Sequence, residues 1–528
     1  MKRNDVLIIL ATAAYSILFY RQSAGANYFI FNVLLILLLI IRDSSLIRQK
    51  AFLAAAGGCF ISSLFVLWYG TTLPFAADMI SLILLAGISL DPGSSFIIAC
   101  FHAIYSFIGV GIFMLSDISK GLMSPTVDQR STNLLNKLVL AIIPIAIFLV
   151  FVVIYRFSNP IFDQLVSRIS FDFISISWCL FTVGGFFFMY GFFKQRAISF
   201  IQRTDHDTPD ELRSLTIEQH TQMILGTLVS LPNLIYTGVL LFILLNLLLA
   251  TVNCLDIYYI GILHSTPAGI TFSQYLHNGT NALIASILMA VSVILFYFRG
   301  YINFYENNKW LKNLAYIWIA QNIFLVLSTA YRNTIYISDY GLTHRRIGVY
   351  VYLFLCIAGL ITTFIKINLR KNNWFLFRKN AWIVYSLMIV ACPFDWDSII
   401  TGFNISRFQA DKKMEIDQRY LADLSHTNLA QLFKYYIVED KTLKAQVDST
   451  QREMRGSFSS SSGSYENAYD QEIKSMIWQK YQSLKNSYSK HSWQSHCVSK
   501  SDNLNAIDKM VQENHLSTPV DSSSHKSY

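Results

Sequence analysis

From Ile224 to Val252 the chain reads ILGTLVSLPNLIYTGVLLFILLNLLLATV, 29 residues without a charged side chain. An α-helix needs ~20 apolar residues to cross the hydrocarbon core of a bilayer. The run is far too long for one strand, and it lacks the alternation of a membrane barrel. Only helices and closed barrels satisfy their own backbone polar groups in lipid, so this stretch predicts a transmembrane helix. The same reading recurs at 5–20, 27–41, 51–69, 74–90, 93–115, 137–155, 169–193, 279–298, 311–331, 347–366 and 375–394. The prediction is an all-α polytopic bundle of about twelve spans over 1–400.

Composition agrees. Hydrophobic residues make up 53% of the 528 and charged residues 14%, against ~25% charged in a soluble domain. The last 125 residues hold 31 of the 75 charged side chains, which leaves 44 for the first 403. So little charge cannot cover a soluble surface. A soluble enzyme, a disordered chain, a collagen-like fibre and a disulfide scaffold are excluded. The seven cysteines form no CxxC and read as small buried hydrophobes. Most of the net charge of +9 lies in the first 403 residues, beside the spans. It reads as topology signal, and no nucleic-acid partner is expected.

Charge also orients the spans. Lys194, Arg196, Arg203 and Arg213 lie in one loop, Arg299 and Lys309 in another, and Lys366, Arg370, Lys371, Arg378 and Lys379 in a third. These three belong on the cytoplasmic side. The loop 253–278 has no Lys or Arg and belongs outside, with 332–346 and the tail. In the first half Lys2, Arg3, Arg42, Arg48 and Lys50 also ask to be inside, which breaks the alternation. One span before 194 is therefore re-entrant or miscounted, and 74–90 is the suspect. Ala24-Gly25-Ala26 resembles a signal-peptidase site, but an apolar run resumes at Tyr28 and the first helix reads as uncleaved.

The tail divides again. Over 401–456, Ile416, Tyr420, Leu421, Leu424, Leu432, Phe433, Tyr436 and Ile437 share one face at helical spacing. Over 457–528 the order is a Ser-rich low-complexity linker from Ser457 to Gly463, a short helix at 468–486, and an end beyond Ser487 with little to bury, expected to be disordered.

No nucleotide loop, zinc-protease helix or nucleophile elbow occurs, and no cofactor or metal is expected. Gly109 and Gly111 sit within an apolar helix and read as a packing site. Asp78, His102, Asp172, Gln321 and Asn322 lie within spans, where polar groups are costly. Interhelical hydrogen bonding is the plainer reading for His102 and the amides, and helix capping for Asp172. More specific are three blocks at helix ends: Pro267-Ala268-Gly269-Ile270-Thr271-Phe272-Ser273-Gln274-Tyr275; Arg332 to Tyr336 running into Tyr340-Gly341-Leu342-Thr343-His344-Arg345-Arg346; and Asn404-Ile405-Ser406-Arg407-Phe408 followed by Asp417, Tyr420-Leu421 and Leu424-Ser425.

These blocks resemble the bacterial multi-pass membrane family catalogued as domain of unknown function 4173, with its relative 4153, over roughly residues 5–440. The resemblance implies a location in the bacterial inner (cytoplasmic) membrane and no known activity. The chain departs from the family pattern at Gln274, where an acid is usual, and at Thr280, Arg345 and Phe408.

Together the blocks offer a candidate ligand-binding site of Gln274, Tyr275, Arg332, Tyr336, Tyr340, Arg346 and Arg407. If the arginines converge without acids between them, an anion must relieve their repulsion, such as a small carboxylate or phosphate or a lipid headgroup. If Asp339, Asp395, Asp397 and Asp417 pair with them, the cluster is a clamp between tail and bundle. Three functions stay open: transport or ligand binding, an envelope sensor or assembly factor, and, last for want of a nucleophile–base pair, a membrane-embedded lipid or glycan enzyme.

Overall fold

The computed structural model describes residues 3–123, 144, 147–148, 151–152, 154–167, 175–212, 221–224, 227–258, 286–287, 289–298, 300–305, 307–411, 416–439, 463–490 and 492–516. The chain divides into two compact units. One holds 1–206, 391–393 and 486–501, and the other holds 207–390, 394–485 and 502–528.

The first unit is built from α1 (Arg3–Phe19), α2 (Ala26–Arg42), α3 (Lys50–Tyr69), α4 (Thr72–Leu90), α5 (Phe96–Ile108), α6 (Val110–Met123), α7 (Pro160–Ser167), α8 (Ile176–Phe193) and α9 (Ser199–Asp207). Short turns join α1 to α4, so these helices run alternately up and down. α4 forms the centre: Ala77, Leu84, Leu85, Ala86 and Ile88 are fully buried. Gly87 lets the α5 backbone come so close that a Cβ there would collide with Ala99 O. The 74–90 run, suspected of being re-entrant or miscounted, is a continuous 19-residue helix. The 93–115 run, expected as one span, bends by 71° between α5 and α6, at Gly109, where the Phe113 ring occupies the space of a side chain.

Polar groups gather at the two ends of this unit. At one end Arg42 donates to Ser89 O at 2.7 Å and Phe193 O at 3.2 Å, Lys194 pairs with Asp5 at 3.0 Å, and Arg196 pairs with Asp117. At the other end the α1–α2 turn is held by the tail. Ala26 N donates to His496 O at 2.9 Å, and Ser495 Oγ accepts from Ser23 N at 2.8 Å and bonds Gln22 at 2.7 Å. These ends are separated by the length of α2, 17 residues, or about 25 Å.

In the second unit a short antiparallel hairpin, β1 (Thr221–Ile224) and β2 (Thr227–Ser230), precedes α10 (Leu231–Asp256). The opening apolar run therefore enters as strand, and Pro232 in the first turn marks where the helix starts. The hairpin is a small departure from an all-α chain. Then come α11 (Lys309–Tyr340), α12 (His344–Asn368), α13 (Asn373–Ala391) and α14 (Trp396–Ala410). Phe242, Phe298, Leu311, Ala315 and Trp318 form a core between α10, α11 and the helical residues before Phe298.

Among the described residues six helices are long and apolar enough to cross a membrane, or eight if each bent pair counts once. The pairs are α5 with α6 and α13 with α14. The expected twelve included 137–155, which lies largely outside the described residues, 279–298, which is described only at 286–287 and 289–298, and the runs of α1 and α2, which are shorter helices.

The tail differs from expectation in two places. The stripe at 416–437 is not one helix but α15 (Gln418–Asp423), a 3₁₀ turn at His426–Asn428, α16 (Leu429–Phe433) and a wider turn at Lys434–Glu439. The Ser425 hydroxyl starts a new cap at Thr427 N and breaks the run. Leu421, Leu424, Leu432, Phe433, Tyr436 and Ile437 are nonetheless buried. The helix expected at 468–486 is α17 (Gly463–Lys490). The end expected to be disordered instead carries α18 (Val498–Glu513). It was missed because its apolar residues are few; Cys497, Leu504 and Ile507 are all buried. The linker 457–462 and residues 517–528 lie outside the described residues.

The basic loops meet. Arg378 donates to Asp210 at 2.7 Å and to Thr208 O at 3.1 Å, and Lys371 pairs with Glu211 at 2.7 Å. Lys366 donates to Phe298 O at 2.8 Å, and Arg370 lies 5.3 Å from the Phe304 ring centre. Residues 208–212, 298–304 and 366–378 therefore occupy one end of the second unit. Cysteine labelling of intact cells in a background without native thiols should modify Ser273→Cys from outside and spare Ser214→Cys. Equal labelling from one side would contradict the assignment.

Candidate functional site

α10 and α11 are joined by a ladder of polar side chains. Asn246 Nδ2 donates to Phe242 O at 2.7 Å within its helix and to Leu314 O at 3.0 Å across the interface. Gln321 Nε2 donates to Asn246 Oδ1 at 3.0 Å, and Asn253 Nδ2 to Gln321 O at 3.3 Å. Arg332 closes the ladder on Asp256, which also accepts from Ser328 Oγ at 2.9 Å. Asn246 to Asn253, Leu314 to Gln321 and Gln321 to Ser328 are each seven residues apart, the repeat that keeps one seam between two packed helices. Gln321 bonds across helices as expected. Asn322 bonds its own helix at Trp318 O, 2.7 Å.

The ladder places the end of α11. That helix ends at Tyr340, and Gly341 turns the chain with φ +83 and ψ 177, a conformation open essentially to glycine. A Cβ on Gly341 would collide with Asn404 Oδ1. From α14, Asn404 grips the next residue in both directions: Leu342 N donates to Oδ1 at 2.8 Å, and Nδ2 donates to Leu342 O at 2.8 Å. Thr343 caps α12 by accepting from Arg346 N.

The candidate arginines are divided by this geometry. Arg332 lies within α11, not in a loop, and is buried against Asp256, an acid the sequence reading did not consider. Arg346 and Arg407 do converge, on the open carbonyls at the α11 C-terminus. Arg346 Nη1 donates to Tyr340 O at 2.7 Å and to Gly341 O, while Arg407 Nη1 donates to Ser338 O at 2.9 Å and Ile337 O at 3.3 Å. Cations there suit the negative end of the helix dipole. Arg346 also lies 4.3 Å from the Tyr336 ring centre, and Tyr336 packs on Tyr340 at 4.7 Å. Gln274 and Tyr275 lie outside the described residues, as does Asp172.

The expected acids mostly serve the tail. Asp397 Oδ1 bonds His344 Nε2 at 2.5 Å, and its Oδ2 accepts from Ser425 N at 2.9 Å. Asp395 accepts from Ser398 Oγ and Thr427 Oγ1, both at 2.7 Å. Asp417 caps α15 at Tyr420 N, and the Tyr420 hydroxyl accepts from His344 N at 2.9 Å. Asn428, fully buried, donates to Thr401 Oγ1 at 2.8 Å and Leu421 O at 2.9 Å. Asn503 on α18 accepts from Ala430 N at 2.8 Å. Lys480 on α17 donates to Ala422 O at 2.9 Å and to Leu424 O, and burial pushes its ammonium down to about 8. Sequence reasoning missed Asp256, Thr427, Asn428, Lys480 and Asn503. The seven-residue spacing of Asn246 and Asn253, followed by Asp256, was the signal for the first; the others carry none.

A groove of about 570 Å³ runs between α12 and α13, walled by Phe354, Trp382, Leu387 and Val390 with Lys379 on its edge. No residue of the three blocks lines it. Among the described residues no three His, Cys, Asp or Glu side chains group as a metal site would require.

Residues 8–435 match a domain of unknown function, DUF4153. The chain belongs to the DUF4153 family. The match is thus to the relative of the family that the sequence blocks first suggested. No curated protein and no solved structure matches it. The long apolar helices make it a membrane protein, and the family carries no known activity.

The Gly341 turn makes a definite demand. Gly341→Ala and Asn404→Ala should each destabilise the second unit by about 1–3 kcal/mol, through strain in one and orphaned Leu342 groups in the other. Thermal unfolding in detergent checks this, and the double variant should lose little more than either single one.

Proposed function

We propose that this DUF4153 protein is a multi-pass protein of the bacterial inner membrane that works as an envelope sensor or assembly factor, with the tail as its working part. One observation carries the reading: Asn404, Arg346 and Arg407 bind the turn at the end of α11, His344, Tyr420 and Ser425 join that region to the tail, and none of these six lines the groove between α12 and α13. A transport path needs polar groups open to substrate at membrane depth. The ladder residues at that depth are bonded to one another. The outer placement of the tail rests on the loop charges. It is supported by tail residues 495–496 lying at the end of the first unit opposite Lys194.

A second reading, recognition of an anion, is favoured by the convergence of Arg346 and Arg407 on one turn beside Tyr336 and Tyr340. The ligand would be a carboxylate or phosphate group, recognised by the two guanidinium groups.

Two experiments separate the readings. In a strain lacking the gene, an envelope defect should be restored by the wild type. It should not be restored by Asp397→Ala with Thr427→Ala, in which proteolysis finds the tail released and the bundle intact. Full restoration by the released-tail variant would sink the sensor reading. Stabilisation by phosphatidylglycerol over phosphatidylcholine in nanodiscs, lost in Arg346→Lys and Arg407→Lys, would favour the anion site instead.

A further inference from the structure

The first unit holds a carboxyl that the tail clamp does not explain. Asp78 on α4 is fully buried, as are Asn32 on α2 and Ser62 on α3. Asp78 Oδ1 accepts from Asn32 Nδ2 at 2.6 Å and from Ser62 Oγ at 3.0 Å. Asp78 Oδ2 and Asn32 Oδ1 are both buried, and neither has a hydrogen-bond partner among the described residues.

Two acceptors of one carboxyl–amide pair thus lack a single hydrogen. An ionised Asp78 would need a cation. The titratable side chains that feel its charge are Tyr28 on α2, Cys59 on α3 and Cys392, and none of them is cationic. His102 on the adjoining α5 is buried and makes no hydrogen bond to Asp78, whose bonds go to Asn32 and Ser62. An uncompensated carboxylate at this depth costs several kcal/mol. A hard metal cation asks for about six oxygen ligands or more, and this pair has two to offer. One proton satisfies both.

We propose that Asp78 and Asn32 form a proton-binding site. Neutral Asp78 donates from Oδ2 to Asn32 Oδ1 while Asn32 Nδ2 donates to Asp78 Oδ1, which closes a two-bond acid–amide ring between α4 and α2. The ligand is a proton. Its release breaks the Oδ2–H bond, passes the proton to water, and leaves a carboxylate that only a hydrated site tolerates. Separating α2 from α4 breaks both ring bonds at once and admits that water. The site therefore couples one proton to the distance between two helices, independently of the tail.

Infrared spectroscopy of the full chain in nanodiscs reads the site directly. At pH 7 the wild type should show a protonated-carboxyl C=O stretch that Asp78→Asn lacks. Asp78→Asn should fold, because an amide can supply the same donor to Asn32 Oδ1. Asn32→Leu removes the acceptor and should move the band to higher frequency. A difference spectrum holding only carboxylate bands would overturn the proposal, and so would an unmoved band in Asn32→Leu. Should Asp78→Asn fail to fold, the wild-type band and its loss on alkaline titration still decide. Replacing sodium by choline should leave wild-type unfolding unchanged. A sodium-dependent stabilisation absent from Asp78→Asn would assign the site to a metal cation.

Discussion

A polar group at membrane depth must find its partner inside the protein, because lipid supplies none. The seam between α10 and α11 meets this constraint with a ladder from Asn246 to Arg332. Apolar side chains alone tolerate sliding of one helix past another; hydrogen bonds at fixed levels do not. A slip of one turn, about 5.4 Å, would leave Asp256 and Arg332 buried and apart. The ladder therefore sets the height at which α11 ends, and with it the position of the Gly341 turn. Asn404, Arg346 and Arg407 build on that turn, and the tail builds on Asp395 and Asp397 beside it.

The two units meet the constraint differently. In the second, Asp256 is paired with Arg332 and the amides bond across the seam. In the first, Asp78 and Asn32 share a shortage of one hydrogen, so the proton itself completes the pair. The second arrangement favours rigidity, and the first favours a response. A fixed platform for the tail and a titratable link between α2 and α4 are the two features on which the proposed sensor reading draws.

Much of this was legible in the sequence. Uncharged runs gave helices because nothing else closes its backbone bonds in lipid. Segments of the three basic loops, 208–212, 300–304 and 366–378, meet at one end of the second unit through Arg378, Lys371 and Arg370. The Arg346 and Arg407 cluster was found, since glycine and arginine beside an α-helix end carry local chemistry. What escaped notice depended on long-range partners. Arg332 was placed in a loop because α11 extends beyond its apolar stretch to Tyr340. The order in α18 comes from a few side chains, Asn503 among them, whose partners lie about 75 residues earlier. Hydropathy also missed the Gly109 bend, since bent and straight apolar helices have the same composition.

A double-mutant cycle on Asp256 and Arg332 tests the central claim most directly, with equilibrium unfolding in mixed micelles as the measurement. If the ladder fixes the seam, Asp256→Ala and Arg332→Ala each cost about 3–5 kcal/mol by leaving a buried charge alone. The double variant then costs scarcely more than either single one. Losses that simply add, or single variants as stable as the wild type, would mean the two residues are not coupled and the ladder does not set the register.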